Sequence, residues 1–361
     1  MRVLLSGAFN PRFEALPEYL AAAFRRLGHE VVLFDHRAFL LPARLRALST
    51  RIQDLDSARL NAAFLRLSRR ARPDLVVVNQ GMTLEASTIE RVRALGARCV
   101  NWFSDYPAQF DAGLEAAPAY DAFHLGSSYA VRRHQALGHP HASWLPFGCD
   151  PEIHRPPPEV GAKGPSRSAG AAARRIVLVG SHYPERQILL RYLRGLPVDV
   201  WGPGWERAAT DPHLGPMLRG GPLRPARWVE IYGNAAAALN IHYGAFGPDH
   251  VSGDMANTRV FEILACGALQ IVDRQRDVLS LFREGEHLLA FSSGEELRAR
   301  VEEALADPGR MRSIAAAGRR AALESHTYAC RAGVLLGETP PFALSSGATT
   351  SPHRMAAGGR P

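Results

Sequence analysis

The chain opens on a buried strand, a glycine turn and an amphipathic helix, and it repeats that opening near its middle; no other feature restricts the fold as much. Arg2 to Ser6 reads as an apolar strand, and Ser6-Gly7-Ala8-Phe9-Asn10 as the turn after it. Leu16, Leu20, Ala23, Phe24 and Leu27 then recur at helical spacing, Gly28-His29 ends the helix, and Val31 to Phe34 forms a second strand. Strands joined through a helix in this way lie parallel. Arg175 to Val179, the turn Gly180-Ser181-His182, and a helix with Ile188, Leu189, Tyr192 and Leu193 restart the pattern. We therefore expect an α/β protein of two doubly wound, Rossmann-like domains, with ligands at the carboxyl ends of the strands. A length of 361 residues suffices for two cores.

Further strands are expected at 75–78, 99–103, 122–125, 143–145, 198–201, 238–243, 268–272 and 288–291, separated by helical stretches. From Pro151 to Ala173 the composition shifts to Pro, Gly, Ala and Ser, which marks a linker. The expected organisation is a first domain over 1–150, a linker over 151–173 and a second domain over 174–336. A tail over 337–361, rich in Gly, Pro, Ser and Thr, is expected to be disordered.

Apolar content of 46% with 22% charge fits a folded chain. The formal charge of +8 is almost all arginine, since Lys163 is the only lysine. So uniform a bias weakens any reading of the charge as a partner signal, and no nucleic-acid motif accompanies it. The first turn lacks a GxGxxG pattern, which leaves a nicotinamide or flavin cofactor without support. Cys99, Cys149, Cys266 and Cys330 form no CxxC pair, and His134, His139 and His141 match no metal spacing, so neither a disulfide framework nor a metal site is expected. With no signal-peptide pattern and no run long enough to span a bilayer, residence in the cytoplasm is expected. Residues 42–70 alternate seven arginines with leucines and a phenylalanine. Such a segment either lies on the inner face of an anionic membrane as a peripheral contact or is an ordinary amphipathic surface helix.

The segment Ser252 to Asp273 carries the densest chemistry. It reads as a polar loop, a helix opening near Asn257 and Thr258, a stop at Gly267, and a buried strand. Val260, Ile263, Leu264 and Gly267 fall on one side, with Glu262 roughly 180° away at about 100° per residue and Arg259 sharing its side. A helix that starts beside a buried strand offers free N–H groups and partial positive charge to a phosphate, and Arg259 adds a forked donor there. An exposed Arg259–Glu262 pair on a solvated helix is the plainer alternative. Gly180-Ser181 can bring backbone N–H groups to a diphosphate with Arg186 near it, or can be an empty turn beside a surface arginine. His242, at a strand end, suits a sugar or phosphate contact or a structural role. Asp105, between a strand end and Pro107, suits a general base, an acceptor contact or a cap. Gly7 and Asn10 lie at the carboxyl edge of strand one, where Gly7 serves either a ligand or the turn itself.

Asn257, Arg259, Phe261-Glu262, Ala265-Cys266-Gly267, Asp277, Leu281-Phe282, Gly285-Glu286 and His326-Thr327-Tyr328 with Arg331 resemble the C-terminal half of the CgeB-like (spore maturation protein) glycosyltransferases. These are similar to the larger group of retaining, nucleotide-sugar-dependent transferases of the GT-B fold. The resemblance extends nearly to Leu336 and is strongest over 252–331. It implies a metal-independent glycosyltransferase without a cofactor, which takes a nucleotide-diphosphate sugar on the second domain. The acceptor, a protein, a glycan or a small molecule, would lie on the first domain. In the larger group two acidic residues eight positions apart flank the donor sugar and the ribose; Asp254 and Glu262 have that spacing, with Asp254 where Glu is usual. The base would lie near Gly220-Gly221-Pro222-Leu223. Retention of configuration is implied, with inversion through Asp105 as the alternative. Two other classes remain open: a GT-B sugar-nucleotide epimerase, and a non-catalytic GT-B relative that binds nucleotide or glycan as a partner protein.

Overall fold

The structure, a computed structural model, describes residues 1–10, 15–46, 48–104, 115–156, 175–244 and 254–344. Its first unit runs β1 (Arg2–Gly7), α1 (Leu16–Arg26), β2 (Glu30–Asp35), α2 (Ala43–Arg46), α3 (Thr50–Ala71), β3 (Leu75–Asn79), α4 (Ala86–Arg93), β4 (Arg98–Phe103), β5 (Ala122–Leu125), α5 (Ser128–Ala136) and β6 (Ala142–Trp144). The second runs β7 (Ile176–Val179), α6 (Pro184–Arg191), β8 (Val198–Trp201), β9 (Leu218–Gly220), α7 (Pro225–Asn234), β10 (Ala237–Asn240), α8 (Thr258–Ala265), β11 (Gln270–Asp273), α9 (Arg276–Leu281), β12 (Leu289–Phe291), α10 (Gly294–Ala306) and α11 (Pro308–Ser325). The last helix is α12 (Tyr328–Leu336).

Both sheets are parallel and six-stranded, in the orders β2-β1-β3-β4-β5-β6 and β12-β11-β10-β7-β8-β9. In the second sheet, strand order reverses beside β7, which lies between β8 and β10. A crevice therefore opens at the carboxyl ends of β7 and β10, as the crossover geometry of open α/β sheets requires. Successive side chains of β7 alternate between two cores. Ile176 and Leu178 join one with Leu189, Leu297 and Val301, while Val177 and Val179 join the other with Trp228, Tyr232 and Ile263. Helices thus cover both faces, which explains why the strands read as unbroken apolar runs.

Two features depart from the expected organisation. Helix α12 falls in the span assigned to the second domain, yet Tyr328, Ala332, Val334 and Leu335 pack into the first unit's core with Leu5, Phe24 and Trp102. The beginning of the expected tail is also packed. Phe342 donates its N–H to Trp144 O at 3.1 Å, and the Arg331 guanidinium sits 4.5 Å above its ring. Residues 345–361 lie outside the described residues.

Candidate active site at the mouth of α8

Helix α8 begins where two amides lock together. Asn257 is its N-cap, accepting from Val260 N at 3.2 Å, and its side chain exchanges two hydrogen bonds of 3.0 Å with Asn240 at the end of β10. The helix mouth is thereby fixed to the strand end. His242, two residues past Asn240, is 4% exposed and hydrogen-bonds Asp273 twice at 2.8 Å, through its backbone N–H and through Nδ1. Its Nε2 lies 3.2 Å from the Asn257 N–H and accepts from it, which puts the imidazole proton on Nδ1. Burial alone would raise the Asp273 carboxyl; the His242 and Gln275 partners outweigh it and hold that carboxyl below its ordinary range. The assembly aims α8 and leaves its first amides, those of Thr258 and Arg259, without intrahelical acceptors.

A cavity of about 320 Å³ opens in front of this mouth, lined among others by Gly180, Ser181, Tyr183, Arg186, His242, Asn257, Thr258 and Arg259. That size falls within the range of small-molecule sites. Arg186 is 9% exposed, and its guanidinium is spread over backbone carbonyls: Nε and Nη2 donate to Ile241 O at 2.9 and 2.5 Å, and Nη1 donates to Ser181 O at 2.7 Å. Among the described residues no carboxylate lies within ion-pair reach of it, and burial draws its pKa below the ordinary value. A buried cation without a counter-ion is costly, and an anion in the cavity would offset that cost. A side chain at Gly180 would meet the same guanidinium, since a Cβ there falls 2.7 Å from Nη1. Arg259 also lines the cavity, has its guanidinium 4.5 Å above the Trp228 ring, and donates to Glu262 Oε2 at 2.5 Å. Burial opposes its charge, but Glu262 more than compensates and holds the pKa above the ordinary value.

Six of the residues singled out from sequence, Gly180, Ser181, Arg186, His242, Asn257 and Arg259, therefore line one cavity. The others do not. Glu262 is 6% exposed and lies behind Arg259, away from the cavity lining. The solvated face of the plainer alternative does not exist, because every residue from Val260 to Ala265 is buried. From Val260 onward α8 is packed on every side, so its apolar period does not mark a boundary with water. Asp254 bonds Arg132 of α5 through its carboxylate and lies 3.4 Å from Arg276, while Ser127 Oγ donates to its carbonyl at 2.5 Å. It joins the two units instead of lining the cavity. Gly221 lies beyond the edge strand β9 with open space around it. In the first unit a Cβ at Gly7 would meet Pro17 at 2.7 Å, so this glycine lets α1 approach β1, and Asn10 donates its N–H to Glu18 at 2.7 Å. Asp105 lies outside the described residues.

Several residues of the site carried no strong sequence signal. Asp273 ends a buried strand, and the rule that such ends bear ligands or their supports could have found it. Trp228 and Tyr183 look like ordinary core aromatics in sequence. Among the described residues no group of three metal-ligating side chains comes together.

Residues 168–337 match a family model described as "Glycosyl transferase-like". The matched stretch spans 170 of the 361 residues. It contains the whole cavity and the α8 mouth. Similar solved structures span nearly the full length of both chains. One is HepE (Alr3699) of Anabaena in complex with UDP and glucose, at 12% identity and a TM-score of 0.65, covering 94% of this chain and 98% of that one. Sucrose-phosphate synthase of Thermosynechococcus elongatus aligns at 12% identity and 0.67, covering 93% and 98%. A glycosyltransferase of Rickettsia africae aligns at 10% and 0.62, covering 94% and 99%. Likeness at such identity is likeness of fold, and the fold is GT-B. No curated protein matches this chain by sequence.

Proposed function

We propose that the protein is a metal-independent, retaining glycosyltransferase of the CgeB-like kind, which takes a nucleotide-diphosphate sugar at the glycosyl transferase-like domain and an acceptor at the first unit. The observation that carries this reading is the cavity at the α8 mouth, which Arg186 and Arg259 both line and where Arg186 has no carboxylate within ion-pair reach among the described residues. Breaking a glycosidic bond to a diphosphate moves negative charge onto the leaving group. Two guanidiniums and the first amides of α8, held rigidly by the Asn240–Asn257 pair, are placed to stabilise it. In this reading Glu262, 6% exposed and outside the cavity lining, is the acceptor for ribose hydroxyls, so a bound nucleoside must open the packing in front of it before its pose is fixed there. HepE, whose fold this chain shares, forms complexes with UDP and with UDP-glucose, a donor of the proposed type. Four free cysteines fit a reducing cytoplasm. No described helix is long and apolar enough to cross a membrane. The exposed leucines and arginines around α2 and α3 point instead to peripheral contact with an anionic bilayer.

A second reading, nucleotide or glycan binding without transfer, is favoured by Asp254, whose carboxylate is taken up by Arg132 and Arg276. One assay separates the two. Transfer predicts nucleotide release from one member of a panel of UDP-, GDP-, TDP- and ADP-sugars, enhanced by acceptor-containing cell extract and reduced at least about tenfold by Arg259→Ala. Nucleotide binding in calorimetry without any release would leave only the second reading. Absence of both binding and release would refute both.

A further inference from the structure

His154 is fully buried at the junction of the two units, in the proline-rich stretch where no site residue was expected. Its Nδ1 accepts the Asp150 N–H at 2.9 Å. The ring proton therefore sits on Nε2, and burial lowers the pKa so that the ring stays neutral. That Nε2 has no hydrogen-bond partner among the described residues. It faces Glu262 Oε1 at 3.9 Å, while the other carboxylate oxygen is taken by Arg259. The ring is held from three sides: Trp228 lies 5.3 Å away between centroids, Tyr19 of α1 packs edge-on at 5.0 Å, and Asp150 is anchored by Arg26 of the same helix.

A buried N–H without an acceptor costs stability, so its retention beside a carboxylate calls for a purpose. The gap exceeds a hydrogen bond, and a shift of about 1 Å closes it. We propose that His154 is a positioning residue for Glu262: its Nε2–H draws and holds one carboxylate oxygen so that the remaining lone pairs face the ribose hydroxyls of a bound nucleotide. Because Tyr19 and Arg26 set the imidazole's place, the first unit also sets the carboxylate's orientation. The inference rests on the reading of Glu262 as the ribose acceptor.

The test compares ribonucleotides with their 2′-deoxy counterparts, UDP, GDP and ADP each against its deoxy form, by calorimetry on the full chain. The wild type is expected to prefer the ribo form of its cognate base by about tenfold, the worth of one hydrogen bond to a charged acceptor. Glu262→Gln brings the ratio close to one. His154→Phe keeps the ring packing against Trp228 and Tyr19 but removes the donor, and it brings the ratio close to one. His154→Gln restores a donor and returns most of the preference. A purely structural role for His154 would weaken both forms in equal proportion, and an unchanged ratio in His154→Phe overturns the inference. Failure of the wild type to bind any of these nucleotides would instead sink the functional reading itself, and this inference with it. A ribo preference that survives Glu262→Gln overturns the inference while leaving nucleotide binding intact.

Discussion

Arg186 brings a positive charge into a nearly closed part of the second unit and spends its hydrogen bonds on two backbone carbonyls, leaving the charge itself without a carboxylate partner among the described residues. Two consequences separate at this residue. Removing the fork leaves the carbonyls of Ile241 and Ser181 unpaired, at a cost of about 1–3 kcal/mol each, and removes one cation from the cavity. Arg186→Met is therefore expected to lower the unfolding midpoint in urea and to weaken nucleoside diphosphate binding at least about tenfold. Arg186→Lys should regain part of the affinity and little of the stability, because a single ammonium cannot span both carbonyls. Equal recovery of both quantities by lysine would refute the forked role. In sequence Arg186 was one more arginine on a helix, and only its burial distinguishes it from the others.

Among the elements, α2 and α3 show best what periodicity can and cannot say. Leu60, Phe64 and Leu65 of α3 face the first sheet's core, as the apolar spacing required. Leu48 and Leu55, which fit the same amphipathic pattern, are 75% and 73% exposed, and Leu40 before the segment is 65% exposed. Nearby, Arg46 and Arg59 lie 3.9 and 3.8 Å from the buried Asp56, whereas Arg44 and Arg51 are exposed. Exposed leucines beside exposed arginines suit an anionic bilayer. The full chain is expected to cosediment with vesicles containing phosphatidylglycerol, to be released by salt, and to ignore vesicles of phosphatidylcholine alone. Replacing Leu48 and Leu55 together by serine should cut the bound fraction at least about fivefold, since each leucine withdrawn from lipid forfeits about 1–2 kcal/mol. Binding that survives both changes would place the contact elsewhere or dismiss it.

At the scale of the whole molecule, the two units meet through polar groups as well as through apolar packing such as that of Phe147 against the Val260 and Phe261 side of α8. Ser128 N of α5 donates at 2.9 Å to Asp277 of α9, and Asp254 engages Arg132 of α5 beside it. Burial, aided by the charge of Asp254 and opposed by the Ser128 hydrogen bond, lifts the Asp277 carboxyl from 3.8 to about 6. The unfolded chain gives up this proton near 3.8 while the folded chain keeps it to about 6, so across that window the unfolded state binds fewer protons. Asp277 therefore contributes a stability that falls as pH rises from about 4 to about 6 and is flat beyond. Asp277→Asn removes this slope: its stability relative to wild type, from urea unfolding at a series of pH values, should rise across the window and then level. A difference that stays constant would mean that Asp277 ionises as an ordinary carboxylate. By itself the sequence determined the alternation of strands and helices, the parallel sheets, and the opening of a helix at Asn257 beside a strand end, because these follow from spacing and local caps. It also marked Gly180, Ser181, Arg186 and Arg259 as candidate ligands of a phosphate. Only the tertiary structure decided that Glu262 is buried behind Arg259, that Asp254 ties the units together, that α12 returns to the first core, and that His154 faces Glu262. Each of those depends on which surfaces distant parts of the chain cover, and hydrophobic period records only that a side is covered, never by what.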